Sequence, residues 1–337
     1  MINSILRRTS FSIALSLAAI STVNAGSITV YTALEESEIK SYLGQARKDL
    51  PDIDINVLRL STGDLGPRIL AEANNPQNDV IWGWAVTSMI NPKINKLLEP
   101  YKAEGVSKLA ASYRAADDKW FATTGYMAAF CVNTDILEKS NLPMPKSWQD
   151  LTNPAFKGEV VMPNPVSSGT GYLQVSALLQ SKGDKEGWKF LDKLDTNIAQ
   201  YTKSGSRPCK AARMGEYAVG VSLAFAALQS IEQGYPLDII IPSDGAGYEL
   251  EASGLMASSN NKSDAKRFLD WTMSKHATEL YTEYKSIVTI PGAPQSKPAK
   301  DAGLPVDIST VLYPVDFMKS ANEREAILTK WQQAIGR

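Results

Sequence analysis

Between residues 27 and 82 the chain alternates between two hydrophobic periods, and that alternation restricts its fold more than any other feature. Residues 27–33 are rich in β-formers. Residues 35–48 carry apolar positions at helical spacing behind an acidic first turn, Glu35, Glu36 and Glu38, that suits the helix dipole. Residues 53–60 alternate apolar with polar, a helix follows over 65–73, and Asp79-Val80-Ile81-Trp82 reads as a buried strand. A βαβαβ run of this kind predicts a largely parallel sheet with ligands gathered at the carboxyl ends of its strands. After a second apolar strand over 126–132 the pattern restarts at Val160. Helices from Tyr172 and around Trp188, a strand over 218–222 and a helix from Ala224 complete it. The expectation is an α/β fold of two lobes, and 337 residues exceed the ~250 beyond which single cores usually split. Helices over 263–274, 276–285 and 322–335 are expected to pack around the lobes, and the Pro/Lys/Ala-rich stretch 291–305 to form an ordered surface connection.

Three helix starts share one chemistry. Residues 160–173 run from a short apolar strand through Pro163-Asn164-Pro165 into Ser167-Ser168-Gly169-Thr170-Gly171, where exposed N–H groups and the positive end of a helix dipole can cradle an anion. Ser61-Thr62-Gly63-Asp64 and Ser204-Gly205-Ser206-Arg207-Pro208 repeat the device, with Pro208 suited to a first helical turn. Each alone is an ordinary cap, but three in one chain point to a small anionic ligand. Trp84 follows Trp82-Gly83 at a strand's carboxyl end, and is expected to wall a cleft there, whereas Trp82, Trp120, Trp148 and Trp188 read as core.

Residues 1–25 combine a basic start at Arg7-Arg8, an apolar run over 11–20 and a small-residue exit at Val23-Asn24-Ala25, the pattern of a cleavable secretory signal. The mature chain is expected to begin at Gly26 and to reside in the periplasm. Two cysteines, Cys131 and Cys209, in an oxidising compartment favour one disulfide. With 35 basic and 36 acidic residues the chain has no electrostatic footprint for nucleic acid, so any anion must be held by local hydrogen bonds. Enzymatic readings lack parts. His276 is the single histidine and sits at the start of a surface helix, Ser168 has no glycine two positions before it, and no phosphate-loop motif or His/Cys zinc cluster occurs. Asp79, Asp117 and Asp244 are scattered and read as caps. The chain is therefore read as a non-enzyme with no catalytic residue, metal or cofactor.

Several segments carry a family resemblance. Ile28-Thr29-Val30-Tyr31-Thr32-Ala33-Leu34-Glu35, Asn75-Pro76-Gln77-Asn78-Asp79-Val80-Ile81-Trp82-Gly83, Cys131-Val132-Asn133-Thr134, Val161-Met162-Pro163-Asn164-Pro165, Ser167 to Gly171 and residues 197–206 are similar to the substrate-binding proteins of bacterial 2-aminoethylphosphonate ABC importers. The resemblance runs across nearly the whole mature chain. It implies the two-lobed type II periplasmic binding fold: residues 26–125 and 250–305 in lobe 1, 126–249 in lobe 2, and a helical segment over 306–337 packing on lobe 2. It also implies hinged closure on one ligand, delivery to permease subunits in the inner membrane, and a monomer. Relatives of that family bind ferric ion through paired tyrosines at the positions of Ala224 and Phe225, and place a histidine where this chain has Glu35; neither Ala nor Phe ligates a hard cation.

The resemblance places a phosphonate among Ser61, Thr62, Ser168, Gly169, Thr170 and Ser204, with Thr32, Trp84, Ser206 and Ser222 also in the site. The ligand's ammonium requires a carboxylate, because a buried unpaired cation is costly. Glu35 is the first choice, with Glu36, Asp64 and Glu251 as alternatives. Cys131 and Cys209 are expected to bond within lobe 2. The competing readings are a ferric-ion, anion or polyamine importer component and, from another class, a secreted phosphonate or phosphate-ester hydrolase.

Overall fold

The computed structural model describes residues 26–336, so the signal-like segment 1–25 lies outside the described residues. Eleven strands form one continuous sheet: β1 (Gly26–Thr32), β2 (Ile53–Arg59), β3 (Val80–Ala85), β4 (Leu98–Glu99), β5 (Phe121–Asn133), β6 (Val160–Pro163), β7 (Ile198–Thr202), β8 (Val219–Leu223), β9 (Leu237–Ile240), β10 (Tyr248–Met256) and β11 (Ile287–Val288). Their order is β2-β1-β3-β10-β5-β8-β6-β7, with β9 and β11 on β5 and β4 on β10. The βαβαβ start folds as its periodicity requires, with β1 parallel to both β2 and β3.

β5 organises the rest. Its first half pairs antiparallel with β10 and β11, and from Ala128 onwards it pairs with β8 and β9. One strand of 13 residues thus belongs to two half-sheets, each with its own core. The sequence pattern placed this strand over 126–132; it begins five residues earlier, at Phe121, because Phe121 and Ala122 are buried against β10.

The first half-sheet is covered on both faces. Ile28, Val30, Tyr42, Trp82 and Phe268 pack on one side, Tyr31, Leu65, Ile81, Trp84 and Leu250 on the other; β1 and Val80–Trp82 follow the two-residue period, and the turn at Gly83 carries Trp84 to the face of Ile81. The second core gathers Phe130, Trp148, Phe156, Tyr172 and Trp188 around β5, β6 and β8. The C-terminal helix Phe317–Ala334, five residues longer at its start than the pattern suggested, adds Ile327 and Trp331 to that second core, and the Tyr172 hydroxyl donates to Ser320 O. Cys131 of β5 and Cys209 of the helix Arg207–Arg213 are joined by a disulfide. Among the described residues no helix is long and apolar enough to cross a membrane.

Candidate functional site

The three Ser/Gly helix starts converge on a cleft between the half-sheets. Ser61 caps the helix Thr62–Ala71 directly after β2, and Ser168 caps the helix Gly169–Lys182, its Oγ accepting from Gly171 N at 3.3 Å. From opposite sides these starts come into contact: Gly63 N donates to Ser167 O at 3.1 Å. Glycine is required at the meeting points. A Cβ on Gly63 would stand 2.1 Å from Val166 O, and one on Gly169 would stand 2.6 Å from Thr62 Oγ1 and 2.9 Å from the Tyr126 hydroxyl.

The cleft encloses an inner cavity of about 40 Å³ lined by Glu35, Ser61, Thr62, Ser168, Gly169, Thr170 and Gly205. Arg59, Glu38, Tyr126, Glu251 and Lys285 complete its wall. At ~10–15 Å³ per water this is room for about three solvent molecules. Beyond Glu35 and Arg59 the cleft opens into an outer chamber of about 420 Å³ bordered by Ser204, Ser206, Lys210 and Phe225.

Charge is concentrated at the cavity floor. Lys285 Nζ lies 2.5 Å from Glu38 Oε1 and 2.7 Å from Glu251 Oε1, with the three side chains almost fully buried. Thr124 Oγ1 donates to Glu251 Oε2 at 2.5 Å, and Glu35 N donates to Glu38 Oε2 at 2.9 Å. Burial pushes the Glu38 carboxyl up to about 7 against the pull of Lys285, and the nearby Glu251 adds to that rise. Burial opposes charge on Lys285 as well, but the two carboxylates outweigh it and hold the ammonium protonated. Burial, reinforced by Glu249 and Glu251, keeps the Tyr126 phenol neutral, so it is available as a donor. Glu35 is engaged from both sides, by Arg59 Nη2 at 3.5 Å and by Ser206 Oγ at 2.9 Å.

Not every residue expected at the site faces it. Thr32 is fully buried and its Oγ1 accepts from Leu34 N at 3.2 Å, shaping the turn that leads to Glu35. Trp84 does not wall the cleft. It is 1% exposed, packed behind the Ser61 helix start, where its indole N–H donates to Thr62 O at 3.3 Å. The reason is local: Gly83, in the left-handed region at φ 62°, faces the cavity together with Ala85, leaving the intervening side chain to point inward. Ser222 is also fully buried and donates to Gly205 O at 2.6 Å, which positions the third turn. Ser204 borders the outer chamber and not the inner cavity, and Ser206 reaches the inner cavity through Glu35. Of the other carboxylates considered for an ammonium, Asp64 pairs with Lys203 at 3.3 Å, Glu36 borders the outer chamber, and Glu251 lies on the floor.

Sequence reasoning missed Arg59, Glu38, Tyr126 and Lys285. Arg59 carried a signal, as a cation two residues before the first Ser-Thr-Gly start, and Glu38 stood three residues after Glu35 but read as a dipole-complementing residue; Tyr126 and Lys285 reach the cavity from elements distant in sequence.

Comparison with known proteins agrees with this geometry. Residues 79–321 match the family of bacterial extracellular solute-binding proteins. An uncharacterized protein of Haemophilus influenzae is 32% identical over 292 residues, 84% of this chain and 84% of its own. A probable ABC transporter periplasmic-binding protein of Sinorhizobium fredii, y4fP, is 27% identical over 285 residues, 82% of this chain and 77% of the relative. Among solved structures, the periplasmic binding protein AfuA from Actinobacillus pleuropneumoniae, with exogenous fructose-6-phosphate bound, superposes with a TM-score of 0.85 at 28% identity, over 92% of this chain and 98% of that one. The two half-sheets joined through β5, and the cavity between them, are the type II periplasmic binding architecture. The chain belongs to the bacterial extracellular solute-binding protein family, as the solute-capturing component of an ABC importer.

Proposed function

We propose that the captured solute is 2-aminoethylphosphonate, held in the inner cavity and passed intact to permease subunits of the inner membrane by a monomeric periplasmic protein whose first 25 residues are removed on export. The observation that carries this reading is the pairing of an oxygen-rich anion cradle with an acidic floor. Ser61, Thr62, Ser168 and Thr170 present hydroxyls, and two helix N-termini add their dipoles, so a phosphonate is held without a dedicated cation. Glu35, Glu38 and Glu251 face Arg59 and Lys285, one acid more than the bases, which suits a ligand that brings its own ammonium.

In this reading residues 26–125 with 250–305 close on 126–249, the segment 306–337 moves with the latter, and no bond is made or broken. Ala224 and Phe225 give a ferric ion no ligand. Calorimetry with 2-aminoethylphosphonate, inorganic phosphate and fructose 6-phosphate is the direct test. One aminophosphonate per chain, bound tighter than phosphate, is expected; equal affinities for the two would refute the assignment. A turnover assay on phosphonates and phosphate esters separates a binder from a hydrolase. A sugar phosphate is the second reading, favoured by the likeness to AfuA and by the outer chamber, which has space for a polyol.

A further inference from the structure

Resting on the inter-lobe cavity being the solute site, we propose that the buried Glu38–Lys285–Glu251 cluster, and not Glu35, selects ligands that carry a cationic end. Two carboxylates share one ammonium on the cavity floor, at 2.5 and 2.7 Å, with side-chain exposures of 1%, 6% and 2% for Glu38, Glu251 and Lys285. Their remaining oxygens are satisfied by the Glu35 N–H and the Thr124 hydroxyl, so hydrogen bonding is complete while one negative charge is left over whenever Glu38 is ionised. A buried surplus charge is costly until a counter-charge arrives, and the cavity is where one can arrive. Glu35 already has its own cation in Arg59 and a hydroxyl donor in Ser206. Its geometry is that of a latch between the lobes, since Ser206 belongs to the opposite half-sheet.

The other groups around the floor do not remove the surplus. Tyr42, whose hydroxyl reaches Glu38 Oε1 at 3.5 Å, and Tyr281 and Tyr126 are kept neutral by burial, and the Phe225 ring lies 5.8 Å from Lys285. Tyr284 hydrogen-bonds Ser41 at 2.5 Å and faces the Tyr42 ring, and Glu249 is bonded to Thr87 and Leu250 N. With the Glu38 carboxyl pushed up to about 7, a bound ligand ammonium drives its proton off, so capture of an amine releases protons at neutral pH.

The test uses two matched ligand pairs, 2-aminoethylphosphonate against ethylphosphonate and glucosamine 6-phosphate against glucose 6-phosphate, titrated calorimetrically in two buffers of different ionisation enthalpy. The wild type is expected to prefer the amine member of whichever pair it binds and to release a proton with that member alone. Glu38→Gln or Glu251→Gln should cut the preference about ten-fold or more, while Glu35→Gln weakens both members alike. A preference lost in Glu35→Gln and kept in the floor variants overturns the inference. So does a wild type without amine preference or proton release, which is read even where a variant fails to fold. A preference confined to the sugar pair keeps the inference and rejects 2-aminoethylphosphonate as the solute.

Discussion

Replacing Gly63 by Ala isolates lobe closure from ligand chemistry. Gly63 is the second residue of the helix Thr62–Ala71 and its φ is not positive, so alanine fits the open protein and, by helix propensity, gains ~0.5–1 kcal/mol. In the closed cleft the added Cβ would stand 2.1 Å from Val166 O and 2.8 Å from Ser167 Cα, both across the cleft and both backbone, so nothing can swing aside. Relieving that overlap means moving the lobes apart by roughly 1 Å. At that distance the Gly63 N to Ser167 O bond is lost, at about 0.5–1.5 kcal/mol, and the Ser206 to Glu35 bond, with its charged acceptor, at about 1.5–3 kcal/mol. The exposed Lys203–Asp64 pair contributes little. A total near 3 kcal/mol corresponds to about a hundred-fold in Kd. Calorimetry with 2-aminoethylphosphonate, or with fructose 6-phosphate should that bind better, reads the loss, and small-angle scattering reads whether ligand still contracts the molecule. Wild-type affinity in Gly63→Ala, with normal contraction, would refute the reasoning, because the closed contact would then play no part in capture.

Ser168→Ala removes a donor to the anion together with the Gly171 cap, and is expected to weaken aminophosphonate binding about ten-fold by calorimetry; a lowered melting temperature at unchanged Kd would make it a plain cap. Cys131→Ser opens a loop spanning a sequence separation of 78, which chain entropy values at about 4 kcal/mol, to be read as a lower denaturation midpoint with m raised by the more expanded denatured chain. Burial raises the Glu249 carboxyl to about 7 from its ordinary 4.5, so its contribution to stability is full below about pH 4.5 and is lost as pH rises through 7. Thermal melts between pH 5 and 8 should therefore show stability falling with pH, with a shallower fall in Glu249→Gln; identical slopes would contradict the assigned burial cost.

How much of this was legible depended on the range of the interactions. The βαβαβ start and the Ser61, Ser168 and Ser204 turns are set by neighbours within a few residues, and their residue types announce them. β10 was not read as a strand, because Glu249, Glu251 and Gly254 break its apolar pattern; Glu249 and Glu251 are buried there by Thr87, Thr124 and Lys285, partners 34 to 162 residues away. Glu38 was read as a first-turn residue complementing its helix dipole, and its position does satisfy that role by accepting the Glu35 N–H. Its second role required Lys285, which no local pattern places beside it. Trp84 was misdirected by a rule about strand ends that holds for the main chain, while the turn at Gly83 decided where the side chain points.

The C-terminal helix carries a consequence for the order of events in the cell. Trp331, 1% exposed, and Ile327 are needed to finish the second core, which otherwise draws its residues from positions 128 to 221. Truncating a buried tryptophan of this kind costs ~3–5 kcal/mol, a large part of a typical domain's stability. That half of the molecule therefore completes its core only after residues 327–331 have left the ribosome. Removing residues 328–337 should therefore leave an incompletely folded protein rather than a slightly shorter one.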